Sequence, residues 1–252
     1  PLKEQENYPT VFYFHGGGFR AGSKDNAFQG TKQRVLQNLI DSGFCVVCVD
    51  YIQDGKIKKC IENSKDAIKF IIKSENKVDP ENLFAFGDSA GGHLALMVSF
   101  TEPEDFNGSQ ELNKLFYKMK GAVSWYGPTD FSKLDERRWE DRLKDESDEE
   151  KDDERIVKEL SPATYAAGKK LDVLLVHGDE DTTIPVYQSI ALEKTRLTNE
   201  MPGKTLIVKN AGHNFKGDQE KFYCSKSLED LTRGRIVTLT TNFFTRKILK
   251  NV

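Results

Sequence analysis

Gly87-Asp88-Ser89-Ala90-Gly91 sets a hydroxyl nucleophile between two glycines. Nucleophilic catalysis uses that spacing because a sharp strand-to-helix turn lifts the serine clear of the backbone, and glycines two positions away let neighbouring segments approach. A chain of this length contains the bare pentapeptide by chance about one time in ten. Context therefore carries the weight. The strand-like run Leu83-Phe84-Ala85-Phe86 precedes it and a helical pattern starts near Ala90, which puts the positive end of a helix beside Ser89.

His15-Gly16-Gly17-Gly18 follows another strand-like run and arises by chance on the order of a few times in a thousand. Consecutive glycines let backbone N–H groups face a substrate oxygen unobstructed, so the amides of Gly17, Gly18 and Ala90 are the expected oxyanion donors. A phosphate-cradling loop is the competing use of glycines. It calls for a G-K-[ST] ending or G-x-G-x-x-G spacing, and neither is present.

A serine nucleophile needs a base, and at neutral pH that is histidine. The chain has four. His15 is expected to hold its own loop, His93 to be packed within the helix after Ser89, and His177 to end a strand and tie down the next loop. His213, in Asn210-Ala211-Gly212-His213-Asn214-Phe215 beyond the last strand-like run, is the expected base. A carboxylate must then orient its ring and stabilise the imidazolium. Asp181 is the candidate, with Asp179 and Glu180 as rivals that spacing alone separates poorly. The order Ser89, Asp181, His213 matches nucleophile, acid, histidine.

These residues need a scaffold that brings four loops together. Strands are expected at Val11 to Phe14, Phe44 to Asp50, Leu83 to Phe86, Ala122 to Trp125, Val173 to His177 and Thr205 to Lys209. Helical patterns cover Thr31 to Asp41, Cys60 to Lys73, Ala90 to Phe100 and Tyr187 to Thr198, with Gln219 to Arg233 and Phe243 to Lys250 after the last strand. Near-continuous apolar strands alternating with helices predict one α/β domain over residues 1–252: a mostly parallel central sheet with helices on both faces. In such sheets ligands bind beyond the carboxyl ends of the strands, where His15, Ser89, Asp181 and His213 all fall. A charged insertion at about 131–160 interrupts the pattern. Between Asp135 and Glu159 its apolar anchors are Trp139, Leu143, Ile156 and Val157, which predicts a solvated insertion, the rival being a lid over the pocket.

With 252 residues the chain can bury a large core without disulfides or metals. A net charge of -3 gives no attraction to nucleic acid or an anionic membrane, so a small-molecule partner is expected, with no cofactor and no metal. Cys45 and Cys48 sit three apart in an apolar strand, on opposite faces, and are expected to be buried inert thiols. Cys60 and Cys224 have no neighbouring ligands in sequence. No apolar run approaches the ~20 residues of a membrane span. No signal peptide is visible, so a cytoplasmic location is the expectation, although the start at Pro1 leaves a lost leader open.

Together these stretches resemble the α/β-hydrolase family, specifically HGGG-containing carboxylesterases and the related acetyl and feruloyl esterases of plant-cell-wall degradation. The resemblance rests on Phe14-His15-Gly16-Gly17-Gly18-Phe19, Val49-Asp50-Tyr51, Phe86-Gly87-Asp88-Ser89-Ala90-Gly91-Gly92-His93, Ser124-Trp125-Tyr126-Gly127-Pro128-Thr129-Asp130 and His177-Gly178-x-x-Asp181-x-x-Ile184-Pro185. It implies that Asp181, rather than Asp179, is the triad acid. It implies too that Trp125 and Tyr126 edge the substrate pocket, the alternative being a core aromatic pair. The implied activity is hydrolysis of short acyl or hydroxycinnamoyl esters, those of plant-cell-wall carbohydrate among them. An amide or formamide hydrolase or peptidase of the same fold is the alternative, and a catalytically silent binding protein is the alternative of another class. Two departures stand out. After Tyr51 the family continues with an arginine and a proline-containing loop, where this chain has Ile52-Gln53-Asp54-Gly55. The family also places two strands before the HGGG strand, and ten residues precede it here. Their absence predicts that Phe44 to Val49 forms the sheet edge, through truncation or as a surface for a homodimer.

Overall fold

Apolar runs bounded by turn residues become the strands, and amphipathic stretches the helices that return the chain between them. In the computed structural model the described residues are 6–75, 77–135, 139, 143, 153–215 and 226–249. In chain order the elements are β1 (Tyr8–Phe14), α1 (Gly30–Asp41), β2 (Cys45–Val49), α2 (Ile57–Ser74), β3 (Val78–Asp88), α3 (Ala90–Phe100) and β4 (Met119–Trp125). After these come α4 (Asp153–Glu159), α5 (Pro162–Tyr165), β5 (Asp172–Gly178), α6 (Tyr187–Thr198), β6 (Lys204–Val208) and α7 (Lys226–Leu249). The described strands form one sheet in the order β2-β1-β3-β4-β5-β6. Every pairing is parallel, as helical crossovers require.

Alternation along the strands divides the core in two. Phe12, Phe14, Leu83, Ala85 and Leu175 face α2, α3 and α6. Val11, Tyr13, Phe84, Phe86 and Val176 face α1 and α7. All seven residues of β1 are buried, as are all eleven of α3; each buried Leu or Phe contributes about 2–3 kcal/mol. Register is level at the carboxyl ends. Phe14 lies opposite Gly87, Gly87 opposite Ser124, Trp125 opposite Val176 and Gly178 opposite Val208. The loops that follow β1, β3, β5 and β6 therefore leave from one rim.

Several sequence expectations change. β3 starts five residues early, at Val78, pairing with Tyr8 before a register shift; Pro80 sits in that irregular stretch, where a lost ladder donor is tolerated. The two helices expected after β6 are one over its described length, Lys226–Leu249; residues 219–225 of the first lie outside the described residues. Gly234 is passed because Ile236, Val237, Thr240 and Phe244 bury one face of α7. β2 is at the edge of the described sheet, as the absence of the two family strands implies, and this leaves Cys45 and Cys48 half-buried where their apolar run predicts buried thiols. Burial still raises both thiols, Cys48 to about 11. Cys224 lies outside the described residues.

The apolar anchors expected in the acidic segment meet the core. Trp139 is buried, and Leu143, Ile156 and Val157 pack against the same core cluster; most of the segment's charged residues lie outside the described residues. Among the described residues no helix is long and apolar enough to cross a membrane.

Candidate active site

Ser89 occupies the turn between β3 and α3 with φ 54° and ψ -121°, a conformation that costs a non-glycine residue on the order of 1–3 kcal/mol. Surrounding contacts hold it there. Its N–H donates to Trp125 O at 2.8 Å, tying the turn to the end of β4. A Cβ on Gly91 would meet Phe14 O at 2.0 Å, so that glycine lets α3 dock on the end of β1. The amide of Ala90, in the first turn of α3, has no intrahelical acceptor.

His213 Nε2 lies 3.0 Å from Ser89 Oγ, and His213 Nδ1 lies 2.7 Å from Asp181 Oδ2. An ionised carboxylate only accepts, so Nδ1 carries the proton and Nε2 offers its lone pair to the hydroxyl. Asp181 Oδ1 accepts from the N–H groups of Thr183 (2.8 Å) and Ile184 (2.9 Å). Burial alone would raise its pKa; hydrogen bonds from His177 and His213 outweigh that, holding the carboxyl far below the usual range. These bonds favour the charged carboxylate at Asp181. Asp179 and Glu180 instead use their backbone N–H groups to tie this loop to Val208 O and Ala211 O.

The glycine loop lies against the serine: a Cβ on Gly16 would be 3.2 Å from Ser89 Cβ. Gly17 has φ +135°, and its carbonyl accepts from Arg20 N and Ala21 N at 3.2 and 3.1 Å, folding the loop back on itself. His15 is fully buried. Its Nδ1 donates to Gly16 O at 2.8 Å and its ring stacks on Tyr51 at 4.3 Å, while burial lowers its pKa. Tyr51 in turn donates to His15 O at 2.7 Å. The Tyr51 segment, which departs from the family pattern, here braces the glycine loop.

The remaining histidines are structural. His177 Nε2 donates to Ile184 O at 2.7 Å and its Nδ1 meets Ser189 Oγ at 2.8 Å. His93 Nε2 donates to Leu160 O at 2.8 Å. Trp125 is a core residue, 1 % exposed, with Nε1 on Thr240 Oγ1 and its ring against Phe86 and Phe215. On a central strand both faces are covered, so of its two readings the core pair describes it. Tyr126 is also buried, and its ring lies 4.7 Å from that of His213.

Sequence reasoning passed over Asp88. Its buried carboxylate accepts from Tyr13 OH at 2.6 Å and Lys32 Nζ at 3.2 Å, fastening the serine turn to β1 and α1. Its place inside the serine motif was the available signal; Lys32, 56 residues away, gave none. A cavity of about 510 Å³ lies elsewhere, between the start of β5, β6 and α7, and none of these residues lines it. Among the described residues no group of three or more His, Cys, Asp or Glu side chains is placed to hold a metal.

A parallel sheet flanked by helices, with serine, histidine and carboxylate on loops at one rim, defines the α/β-hydrolase class. Solved structures share that fold. The propionate-bound esterase Est2 of Thermogutta terrifontis superposes with TM-score 0.77 at 20% identity, covering 98% of this chain and 86% of that one. A truncated carbohydrate esterase from gut microbiota gives 0.72 at 21%, covering 96% and 89%. The chain belongs to the BD-FAE family of carboxylesterase-like α/β hydrolases, whose profile matches residues 1–196. Among curated relatives, the probable carboxylic ester hydrolase LipM of Mycobacterium tuberculosis is 23% identical over 196 residues, 72% of this chain and 43% of LipM. Kynurenine formamidase of Danio rerio is 26% identical over 133 residues, 50% of this chain and 43% of that protein. The chain thus spans less than half the length of either.

Proposed function

We propose that this chain is a serine carboxylesterase working through an acyl-enzyme. The unbroken hydrogen-bond series Ser89–His213–Asp181 beside the glycine loop carries the proposal. Ser89 Oγ attacks the ester carbonyl carbon as its proton passes to His213 Nε2, and Asp181 stabilises the imidazolium. The amides of Gly17, Gly18 and Ala90 receive the developing oxyanion. Collapse expels the alcohol, which takes the proton from His213. Water, deprotonated by the same imidazole, then releases the acid and restores Ser89. In this scheme the protein's own side chains and backbone carry every step.

Short acyl esters, acetyl above all, or hydroxycinnamoyl esters, attached to carbohydrate, are the proposed substrates. Their support is the company the fold keeps: a carbohydrate esterase, and an esterase holding propionate. The similarity to kynurenine formamidase favours one second reading, hydrolysis of an N-formyl amide by the same residues. A panel of acetyl, butyryl and feruloyl esters beside an N-formyl arylamine separates the two. Ser89→Ala should abolish turnover of whichever is cleaved, and parent-level hydrolysis by that variant refutes the mechanism.

A further inference from the structure

Phe19 follows the three glycines of the loop, is fully buried, and holds φ +65°, a conformation that a side chain with a Cβ adopts only under constraint. Its carbonyl accepts from Gly55 N at 3.1 Å. Its ring is gripped edge-on by His93 at 5.3 Å and by Trp139 at 6.3 Å, within the range of favourable aromatic pairs. Phe131 closes the cluster, 5.2 Å from His93 and 5.3 Å from Trp139. Four segments meet here: the glycine loop, the helix that follows Ser89, the loop after β4, and the acidic segment. The last is held again where His93 Nε2 donates to Leu160 O.

We propose that Trp139 is a positioning residue for the oxyanion hole. It acts as a strut from the acidic segment that keeps Phe19 in its constrained conformation and thereby fixes the amides of Gly17 and Gly18, two residues and one residue upstream. With Trp139 removed, Phe19 loses one of the two ring partners it has among the described residues and its backbone relaxes, shifting the donors away from where the oxyanion forms. Geometric misplacement of this kind costs rate roughly 10- to 100-fold. Ground-state binding changes little, because the donors act mainly on developing charge.

The inference rests on the esterase reading above, and its test separates the two. In the full chain, Trp139→Ala and Trp139→Phe are compared with the parent for kcat and KM on p-nitrophenyl acetate. Inhibition by a boronic acid, whose tetrahedral adduct places an oxygen in the oxyanion hole, is measured alongside. The expected result is that Trp139→Ala loses at least tenfold in kcat and a similar factor in boronate affinity, with KM within twofold, and that Trp139→Phe recovers most of both. Ile156→Ala, which trims the same segment without removing a ring from Phe19, should keep parent kcat. A folded Trp139→Ala with parent kcat and boronate affinity overturns the inference, as does a rise in KM at unchanged kcat, which makes the indole a substrate contact. If Trp139→Ala does not fold, Trp139→Leu is judged by the same ratios. A parent that cleaves no ester and takes no phosphonate label at Ser89 overturns the esterase reading itself; an active, labelled parent with indifferent variants overturns only the strut.

Discussion

Replacing Asp181 by asparagine removes a charge while leaving shape nearly unchanged, and the hydrogen bonds around it dictate which way the new amide turns. Thr183 N–H and Ile184 N–H, at 2.8 and 2.9 Å, both point at Oδ1. That side must stay an acceptor, because an NH₂ group there would face two fixed donors. The amide nitrogen is therefore turned toward His213 Nδ1, 2.7 Å away. His213 responds by accepting at Nδ1 and carrying its proton on Nε2, 3.0 Å from Ser89 Oγ, where it can no longer take the serine proton. The equivalent loss of tautomer in a serine triad costs ~10,000-fold in kcat, about 5 kcal/mol of transition-state stabilisation. Stopped assays with p-nitrophenyl acetate should find that drop in a protein with parent-like circular dichroism. Asp181→Ala, by contrast, removes the acceptor of the buried Ile184 N–H, at ~1–3 kcal/mol, and that of the half-buried Thr183 N–H, and should lower the urea midpoint as well. Asp181→Asn retaining more than a tenth of parent turnover refutes the tautomer argument.

Three further outcomes follow from other parts of the molecule. Burial lowers His93 to about 4, against the partial opposition of its bond to Leu160 O. Unfolding exposes it to its ordinary value near ~6.5, so the unfolded chain binds the extra proton first and stability falls as pH drops from about 6.5 to about 4, by ~3 kcal/mol in total; urea midpoints for the parent and a non-titrating His93→Gln should converge across that window, and parallel curves would count against it. Gly91→Ala drives a methyl to 2.0 Å from Phe14 O and 2.6 Å from His15 O, and should cost at least ~1–3 kcal/mol along with most esterase activity, whereas parent stability would show that α3 does not need this close approach. If a second copy pairs along the apolar edge of β2, sedimentation should reveal a concentration-dependent dimer that Val46→Lys disrupts; a monomer across the range speaks against that pairing.

Much of the scaffold is readable in the sequence because a parallel sheet buries both faces of its strands, giving continuous apolar runs such as Val11 to Phe14 and Val173 to His177. Loops at the ends of those runs must share one rim, so strand position alone gathered Ser89, His213 and the Asp179–Asp181 loop as candidates. Selecting Asp181 within that loop took family resemblance; the structure adds that Asp181 is the carboxylate on His213 Nδ1. What escaped has a common cause in long-range packing. The continuity of α7 through Gly234 depends on the face it buries against the sheet and α1. Lys32 meets Asp88 across 56 residues, a pairing that no local pattern encodes. Trp139 and its three apolar companions are too sparse among charges to show a period, and their role emerges only where the indole meets Phe19. Trp125 invited a pocket reading from the motif around it; its burial between the sheet and α7 follows from the central position of β4.

Acylation of Ser89 underlies every step of the proposed reaction. Incubation of the full chain with a fluorophosphonate, followed by peptide mass spectrometry, tests it most directly. One phosphonyl group on the peptide containing Ser89, matching the loss of ester hydrolysis mole for mole and absent from Ser89→Ala, is the predicted result. Label on another residue, or inactivation that proceeds equally in Ser89→Ala, would contradict it.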